Sequence, residues 1–82
     1  MADKIYIQVV SPKATLYEGE LLYAVFPGHA GEFAVYPAHA PIISALTAGV
    51  IKCVIAEGKE ETLPINGGFA EVNNDRITVC VE

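Results

Sequence analysis

The sequence has few basic residues and no long apolar run, and each shortage excludes a class of function. Five Lys and Arg stand against ten Asp and Glu, which gives a net charge of −5. Because the basic residues are scattered along the chain, the clustered phosphate contacts of a nucleic-acid-binding protein are not expected. The apolar runs fall far short of the ~20 residues that span a bilayer, and the acidic start at residues 1–4 is unlike a signal peptide. We therefore expect no nucleic-acid partner and no direct lipid insertion.

Cysteine is also scarce. Only Cys53 and Cys80 are present, and strand alternation predicts that they point to opposite faces. Cys53 shares its parity with apolar neighbours, whereas Cys80 shares its parity with the polar Thr78 and Arg76. A disulfide between them is not expected, and reduced thiols fit a cytosol-type compartment.

Alternation of apolar and polar residues runs through nearly the whole sequence and predicts an all-β fold. Seven glycines and five prolines interrupt every candidate helix. About eight to ten short strands with frequent turn signals are typical of a flattened sandwich or barrel. The length of 82 residues permits one domain, spanning 1–82. An apolar content of 52 % in so small a chain suggests that another chain covers part of its surface.

Glycine, proline and asparagine indicate where the chain turns. We expect Gly19 to form a bend or bulge between two extended pieces. A hairpin is predicted to turn at Gly58, with positive φ there, and Pro64 places its return strand at an edge or bulge. A last hairpin is expected to turn through residues 73–75, since Asn and Asp tolerate left-handed geometry.

The most informative stretch begins at Gly31, where a short strand leads into a loop. Pro37 and Pro41 bracket an Ala-His-Ala sequence in that loop. Proline fixes φ near −65°, removes a donor and pushes the preceding residue towards extended geometry. The loop is therefore expected to be stiff and to hold His39 at one end of the sheet. A rigid loop of this kind favours contact with another molecule over catalysis.

The polar residues of the sequence do not predict a catalytic or metal site. His29, Glu32 and His39 are near in sequence, but the strand between the two histidines spans roughly 17 Å. Zinc needs three or four ligands that converge at ~2 Å. Ser11 and Ser44 lie in no nucleophile-elbow pattern, and adjacent carboxylates in a strand point to opposite faces. We expect no catalytic residue, no bound metal and no cofactor.

Two further motifs have simpler structural explanations. The double glycine Gly67-Gly68 lacks the Lys-Ser/Thr of a phosphate loop, and no helix follows it. It is interpreted as a bulge or as a place where another backbone comes close. Lys59 lies beside a hairpin tip, as does the modified lysine of lipoyl and biotinyl carrier domains, although its flanking residues differ.

Four segments together resemble a known family. Residues 31–41 resemble the signature of the epsilon subunit of F-type ATP synthases, and residues 66–72 look like that family's Gly-Gly-x-x-Glu-Val strand. The opening at 7–12 and the turn at 48–51 agree in order and spacing, so the similarity covers essentially the whole sequence. It implies a flattened β-sandwich of ten strands. A small β-barrel carrier, or a protein-interaction module unrelated to ATP synthase, is the alternative.

The resemblance implies a non-catalytic subunit of the central stalk, in the F1 sector of ATP synthase. Such a subunit links the gamma subunit to the membrane-embedded c-ring and couples H⁺ or Na⁺ flow to ATP synthesis. By position, Glu32 would face the polar loops of the c-ring, whereas His39, Ser44 and Ser11 would lie towards gamma. The protein would be peripheral, on the cytoplasmic face of the bacterial inner membrane or the stromal face of the thylakoid.

Most members of that family continue into two carboxy-terminal helices, which act as a brake and in some members bind ATP. This sequence stops at Glu82. The resemblance therefore implies a chain without a carboxy-terminal helical domain, without strong inhibition of ATP hydrolysis and without nucleotide binding.

Overall fold

The computed structural model describes residues 4–82. The expectation that residues 1–4 are unlike a signal peptide therefore lies partly outside that range. Within it the regular structure consists of nine strands and no helix. The strands are β1 (Ile5–Val10), β2 (Thr15–Leu21), β3 (Tyr23–Gly28), β4 (Gly31–Val35), β5 (Ile42–Leu46), β6 (Gly49–Ala56), β7 (Lys59–Ile65), β8 (Gly68–Asn73) and β9 (Arg76–Val81). The part of the chain that the structure describes has no helix that could cross a bilayer.

The strands form one curled sheet. Eight of them follow the hydrogen-bonded order β2-β1-β9-β8-β5-β3-β6-β7, and β4 pairs with β3. We term β2, β1, β9, β8 and β5 the first layer, and β4, β3, β6 and β7 the second layer. The two layers join where Gly28 of β3 pairs with Leu46 of β5. The strands β1 and β9 run parallel, and the other pairs among residues 4–82 are antiparallel.

The alternation that predicts the strands also builds the core, because every second side chain of each layer points inward. The ring of Phe26 stacks on that of Phe33 with centroids 5.4 Å apart. Burial of each large side chain contributes roughly 1.5–3 kcal/mol to stability. The buried residues among 4–82 are apolar. They are Ile5, Ile7, Val9, Leu21, Ala24, Phe26, Val35, Leu46, Ile51, Cys53, Ile65, Ala70, Val72, Ile77, Val79 and Val81.

The structure confirms the all-β prediction, with nine strands within residues 4–82 rather than the ten that the family resemblance implied. The predicted hairpin turn has φ 75° at Gly58. Pro64 lies on β7, which is an edge strand. The last hairpin turns through Asn74 and Asp75, whose φ values are 51° and 60°. The positive φ angles predicted for these turn residues are confirmed.

The expected bend or bulge at Gly19 was wrong. The strand β2 runs unbroken through Gly19, which pairs with Ile7, and the chain bends at Leu22 instead. The register shifts near the start of β2, where Leu16 is the extra residue. A Cβ atom on Gly19 would meet nothing within 4 Å, so no close contact forces a bulge at this position and the ladder stays regular there.

The double glycine marks a close approach of two strands, as predicted. A Cβ atom on Gly68 would lie 2.1 Å from the carbonyl oxygen of Cys80 on the paired strand β9. A real Cβ cannot come that near to a backbone oxygen. Gly68 is therefore required by packing, and this accounts for its presence without a bound phosphate.

The two cysteines lie on opposite faces and both are free, which confirms the expectation of no disulfide. Cys53 is buried and Cys80 is exposed. Burial raises the pKa of the Cys53 thiol to about 11, and the nearby Glu61 carboxylate adds to the shift. The Cys53 thiol is consequently protonated and unreactive at neutral pH.

Candidate partner interface

An exposed apolar patch lies on the outer face of the first layer. We term it the apolar patch, and its members are Ile43, Ala45, Phe69, Cys80 and Val10. The side chains of Ile43 and Phe69 are 74 % and 60 % exposed. Register aligns Ala45 with Phe69, Phe69 with Cys80, and Cys80 with Val10. These four residues therefore form a continuous row across four neighbouring strands, about 14 Å wide at ~4.8 Å per strand, and Ile43 lies beside the row, two residues from Ala45 on β5.

Apolar side chains on a protein surface are common singly, but a continuous row across a sheet indicates an interaction site. The patch lies on the opposite side of the layer from the core residues Ala70 and Val79. The core therefore gains nothing from it. Covering it with another protein would remove its apolar surface from water.

Polar side chains border the apolar patch. Glu71 lies between Ile43 and Thr78 in register on the neighbouring strands. A shallow depression beside it is lined by Glu71, Asn73, Asn74, Arg76 and Thr78. An apolar centre with a polar rim is the usual composition of a protein–protein interface.

The polar border continues across β9, β1 and β2. The Arg76 guanidinium lies 4.8 Å from the centroid of the Tyr6 ring, and its Nη2 donates to Oε1 of Gln8 at 3.5 Å. The Tyr6 hydroxyl donates to the Glu18 carboxylate, which raises the pKa of Tyr6. These contacts fix the direction of the long polar side chains on this face.

Glu32 lies at one end of the sandwich, which we term the glycine end because its turns contain Gly28, Gly31, Gly49, Gly67 and Gly68. Glu32 is exposed on β4 and pairs with Pro27. The adjacent turn is tied to β5, because the backbone N–H of His29 donates to the carbonyl of Ala45 at 2.9 Å. Among residues 4–82 the salt bridge found within 4 Å is between Lys52 and Glu60, so it does not involve Glu32. Glu32 is thus an acid on β4 beside a fixed turn, with its side chain exposed to solvent.

His39 lies at the opposite end of β4, which we term the proline end because Pro37 and Pro41 bracket its loop. The loop connects β4 of the second layer with β5 of the first. Nδ1 of His39 lies 2.7 Å from the carbonyl oxygen of Ala40. The distance predicted between the two histidines is consistent with this topology, since His29 is in the turn at the other end of β4.

The two serines occupy different environments. Oγ of Ser11 accepts from the backbone N–H groups of Lys13 and Ala14, each at 3.3 Å, and closes the turn between β1 and β2. Ser44 is half-buried on β5, with the parity of the core residue Leu46, and its Oγ donates to the carbonyl of Ala45 at 3.2 Å. Ser11 therefore borders the apolar patch through Val10, whereas the Ser44 side chain faces the other way.

The structure does not gather the four residues singled out by the resemblance into one cluster. Glu32 and Ser11 lie towards the glycine end, His39 lies at the proline end, and Ser44 lies between them on β5. Residues 4–82 contain no group of three or more His, Cys, Asp and Glu side chains placed to hold a metal ion.

The apolar patch was not among the sites predicted from the sequence. A signal for it exists, because β5 has the neighbouring pair Ile42-Ile43 and β8 has Phe69-Ala70. Adjacent side chains in a strand face opposite sides, so one of each pair must point away from the core.

Comparison with known proteins agrees with this architecture. Residues 4–82 match the family described as the beta-sandwich domain of the ATP synthase Delta/Epsilon chain. The sequence is 44 % identical over 82 residues to the ATP synthase epsilon chain of Maricaulis maris, covering 100 % of this chain and 61 % of that protein. It is 36 % identical over 80 residues to the epsilon chain of a Nitratiruptor species, covering 98 % and 62 %. The chain thus spans about three fifths of the length of these relatives.

Solved structures share the fold. A chain of the Euglena gracilis mitochondrial ATP synthase, in a cryo-EM structure of OSCP, F1 and the c-ring, superposes with a TM-score of 0.91 at 19 % identity, covering 99 % of this chain and 52 % of that chain. A chain of the Tetrahymena thermophila mitochondrial ATP synthase, in a structure of the central stalk and c-ring, gives 0.76 at 11 % identity, covering 93 % and 61 %. At such identities the likeness establishes the fold.

Proposed function

The chain belongs to the ATP synthase delta/epsilon chain family, whose beta-sandwich domain it matches, and on this premise we propose that it is a non-catalytic central-stalk subunit. In this role it links the gamma subunit to the c-ring as a single rigid domain. It couples H⁺ or Na⁺ flow through the ring to ATP synthesis by other subunits. Its place is peripheral, at the cytoplasmic face of the bacterial inner membrane or the stromal face of the thylakoid.

The main support for this proposal is that a member of this family bears the exposed apolar patch. Ile43 and Phe69 are largely exposed in the isolated chain, and full burial of either side chain contributes roughly 1.5–3 kcal/mol. In a subunit that is permanently assembled with a larger neighbour, the neighbour covers such side chains. Their exposure in the free chain then has no cost in the complex. The patch is therefore assigned to the gamma subunit.

The residues proposed for the gamma contact differ in how directly they reach that surface. Ser11 follows Val10 and borders the apolar patch. His39 extends the contact to the proline end. Ser44 acts less directly, because its side chain faces the core while its neighbours Ile43 and Ala45 face outward. We expect substitutions of Ser44 to affect gamma binding less than substitutions of Ile43.

Glu32 is proposed to contact the polar loops of the c-ring. Its side chain is exposed at the glycine end, on β4 beside a turn held to β5 by the His29–Ala45 hydrogen bond. An exposed ion pair with a basic loop residue contributes at most about 1 kcal/mol. It would nevertheless fix the register between the two surfaces, since charge complementarity governs specificity more than affinity.

The decisive experiment measures binding of purified gamma subunit to Phe69→Glu and Ile43→Glu variants of this chain by isothermal titration calorimetry. Phe69→Glu places a charge in the centre of the apolar patch and Ile43→Glu places one at its most exposed member, and we expect affinity to fall at least tenfold in each. Thermal unfolding of the free variants should remain close to wild type, because both positions are exposed.

The matched control is Val50→Glu, which makes the same change at a 48 % exposed residue on the outer face of the second layer. We expect that variant to bind gamma as wild type does. An equal loss of affinity in all three variants, or in none, would contradict the assignment of the apolar patch to gamma.

A further inference from the structure

Asp75 joins three segments of the chain at the proline end. It lies half-buried in the turn between β8 and β9. Its backbone carbonyl accepts a hydrogen bond from the N–H of Tyr6 at 3.0 Å, and its Oδ1 accepts one from the N–H of Ala38 at 2.6 Å. One residue thus connects the last hairpin, the start of β1 and the proline-bracketed loop.

The bond to Ala38 restrains a residue in an unfavourable conformation. Ala38 has φ 66°, in the left-handed region that side chains other than those of Gly, Asn and Asp rarely adopt. Pro37 and Pro41 restrict the loop on either side but have no N–H to donate. The carboxylate of Asp75 therefore supplies a side-chain restraint that neither proline can give.

The turn between β8 and β9 allows an aspartate at position 75 but does not require a carboxylate there. Asp75 has φ 60°, a left-handed conformation that Gly, Asn and Asp all adopt in hairpin turns. The N–H of Ala38 does explain the carboxylate, because a short hydrogen bond to a charged acceptor is stronger than a neutral one.

We propose that Asp75 is a positioning residue for the gamma contact, because it holds the loop of residues 37–41 and thereby fixes the direction of His39. This inference rests on the proposed function, in which His39 contacts gamma. The loop carries the chain from the second layer to the first, and Asp75 belongs to the first. The hydrogen bond between Ala38 and Asp75 therefore attaches the loop between β4 and β5 to the first layer, which also bears the apolar patch.

The first test measures hydrogen exchange of the Ala38 amide by NMR in the free chain. In Asp75→Gly the turn keeps its φ but the acceptor is lost, and exchange should become at least tenfold faster. In Asp75→Asn the side-chain carbonyl can still accept, and exchange should stay within threefold of wild type. The Thr47 amide, which donates to the carbonyl of Pro27 at 2.9 Å at the glycine end, serves as the reference for intact folding. Unchanged exchange of Ala38 in Asp75→Gly would overturn the proposal.

The second test is a double-mutant cycle on gamma affinity. His39→Ala should weaken binding about fivefold in the wild-type background but less than twofold in Asp75→Gly, where His39 is no longer held. Asp75→Asn should restore most of the effect of His39→Ala. If Asp75 only stabilised the fold, His39→Ala would cost the same factor in each background, and the positioning role would be rejected.

The outcomes separate this inference from the function on which it rests. If His39→Ala has no effect in the wild-type background, His39 is outside the interface and the positioning role falls with it. The apolar patch would still be tested independently by Phe69→Glu.

Discussion

The two ends of the sandwich differ in the residues that shape their turns. At the glycine end, backbone meets backbone: a Cβ on Gly28 would lie 2.5 Å from the carbonyl oxygen of Gly31, and one on Gly49 would lie 2.9 Å from Cβ of Pro27. At the proline end the loop is held by restricted dihedral angles and by the side-chain bond from Asp75 to Ala38. The structure of the glycine end therefore depends on the space between backbone atoms. The structure of the proline end depends on restraint of the loop conformation.

This difference predicts two kinds of sensitivity to substitution. Adding one methyl group at the glycine end forces backbone atoms apart, so the effect should be large and abrupt. Removing a restraint at the proline end widens the range of loop conformations, so the effect should be small and graded. Substitutions at each end, and one in the core between them, test that contrast.

The largest effect is expected for Gly68→Ala. The added Cβ meets the Cys80 carbonyl oxygen, and φ 146° at Gly68 is unfavourable for alanine. Backbone strain of about 1–3 kcal/mol and overpacking of about 1–3 kcal/mol should together lower the free energy of unfolding by roughly 2–6 kcal/mol, as measured by urea denaturation.

Gly31→Ala is the matched control for that variant. Gly31 has φ 133°, but nothing lies within 4 Å of its Cβ position. It should lose about 1–3 kcal/mol, from strain alone. An equal loss in the two variants would show that close backbone approach does not govern the glycine end.

The second prediction concerns Cys53, which lies in the core between the ends and pairs with Ala24 and Glu61. Because the pKa of its thiol is raised from 9.0 to about 11, the unfolded chain loses this proton at a lower pH than the folded chain does. The contribution to stability is complete below pH 9 and is lost between pH 9 and 11. Urea denaturation at pH 8 and 10 should show a decrease of about 1 kcal/mol, and Cys53→Ala should abolish this part of the pH dependence. A variant at either end should keep it.

The third prediction tests restraint at the proline end. Pro41→Ala increases the conformational freedom of the unfolded chain and should lower the free energy of unfolding by about 0.4–1 kcal/mol. Amide exchange at Ala38 should accelerate less than in Asp75→Gly, because the hydrogen bond remains. A loss as large as that of Gly68→Ala would remove the contrast between the two ends.

The smallest effect on stability is expected for Glu32→Lys. Its side chain is exposed at the glycine end, so the free energy of unfolding should change by no more than about 0.5 kcal/mol. In reconstituted ATP synthase we expect lower ion-driven ATP synthesis, with ATP hydrolysis by the soluble sector unchanged.

Glu57→Lys is the control for Glu32→Lys, since it makes the same charge change on an exposed hairpin tip at the proline end. It should leave ATP synthesis near wild type. Equal impairment by the two variants would indicate a general effect of charge rather than a contact at the glycine end.

Most of the local structure could be predicted from the sequence, because strands and turns depend on near neighbours. The hairpins at Gly58 and at residues 73–75 followed from turn chemistry. The prediction at Gly19 failed because the irregularity of β2 lies at Leu16, where the register with β1 shifts, and the alternation of β2 alone does not show that register.

The pairing of distant strands and the candidate site could be predicted less well. Alternation assigns a side chain to a face but does not say which strand lies beside it. The row formed by Ala45, Phe69 and Cys80 exists only through the register of three separate strands. The bond between Ala38 and Asp75 likewise joins residues 37 positions apart, and no local pattern indicates it.

The parallel pairing of β1 with β9 has a consequence for the order of folding. Among the nine strands β1 is made before the others, yet Ile7 lies beside Ile77 in the finished sheet. Until β9 emerges, one side of β1 has no hydrogen-bonding neighbour, and hairpins such as that of β6 and β7 can form earlier. Closing so long a loop is slow compared with forming local contacts. The sandwich is therefore expected to close only after synthesis of residue 81, when its earliest and latest strands meet.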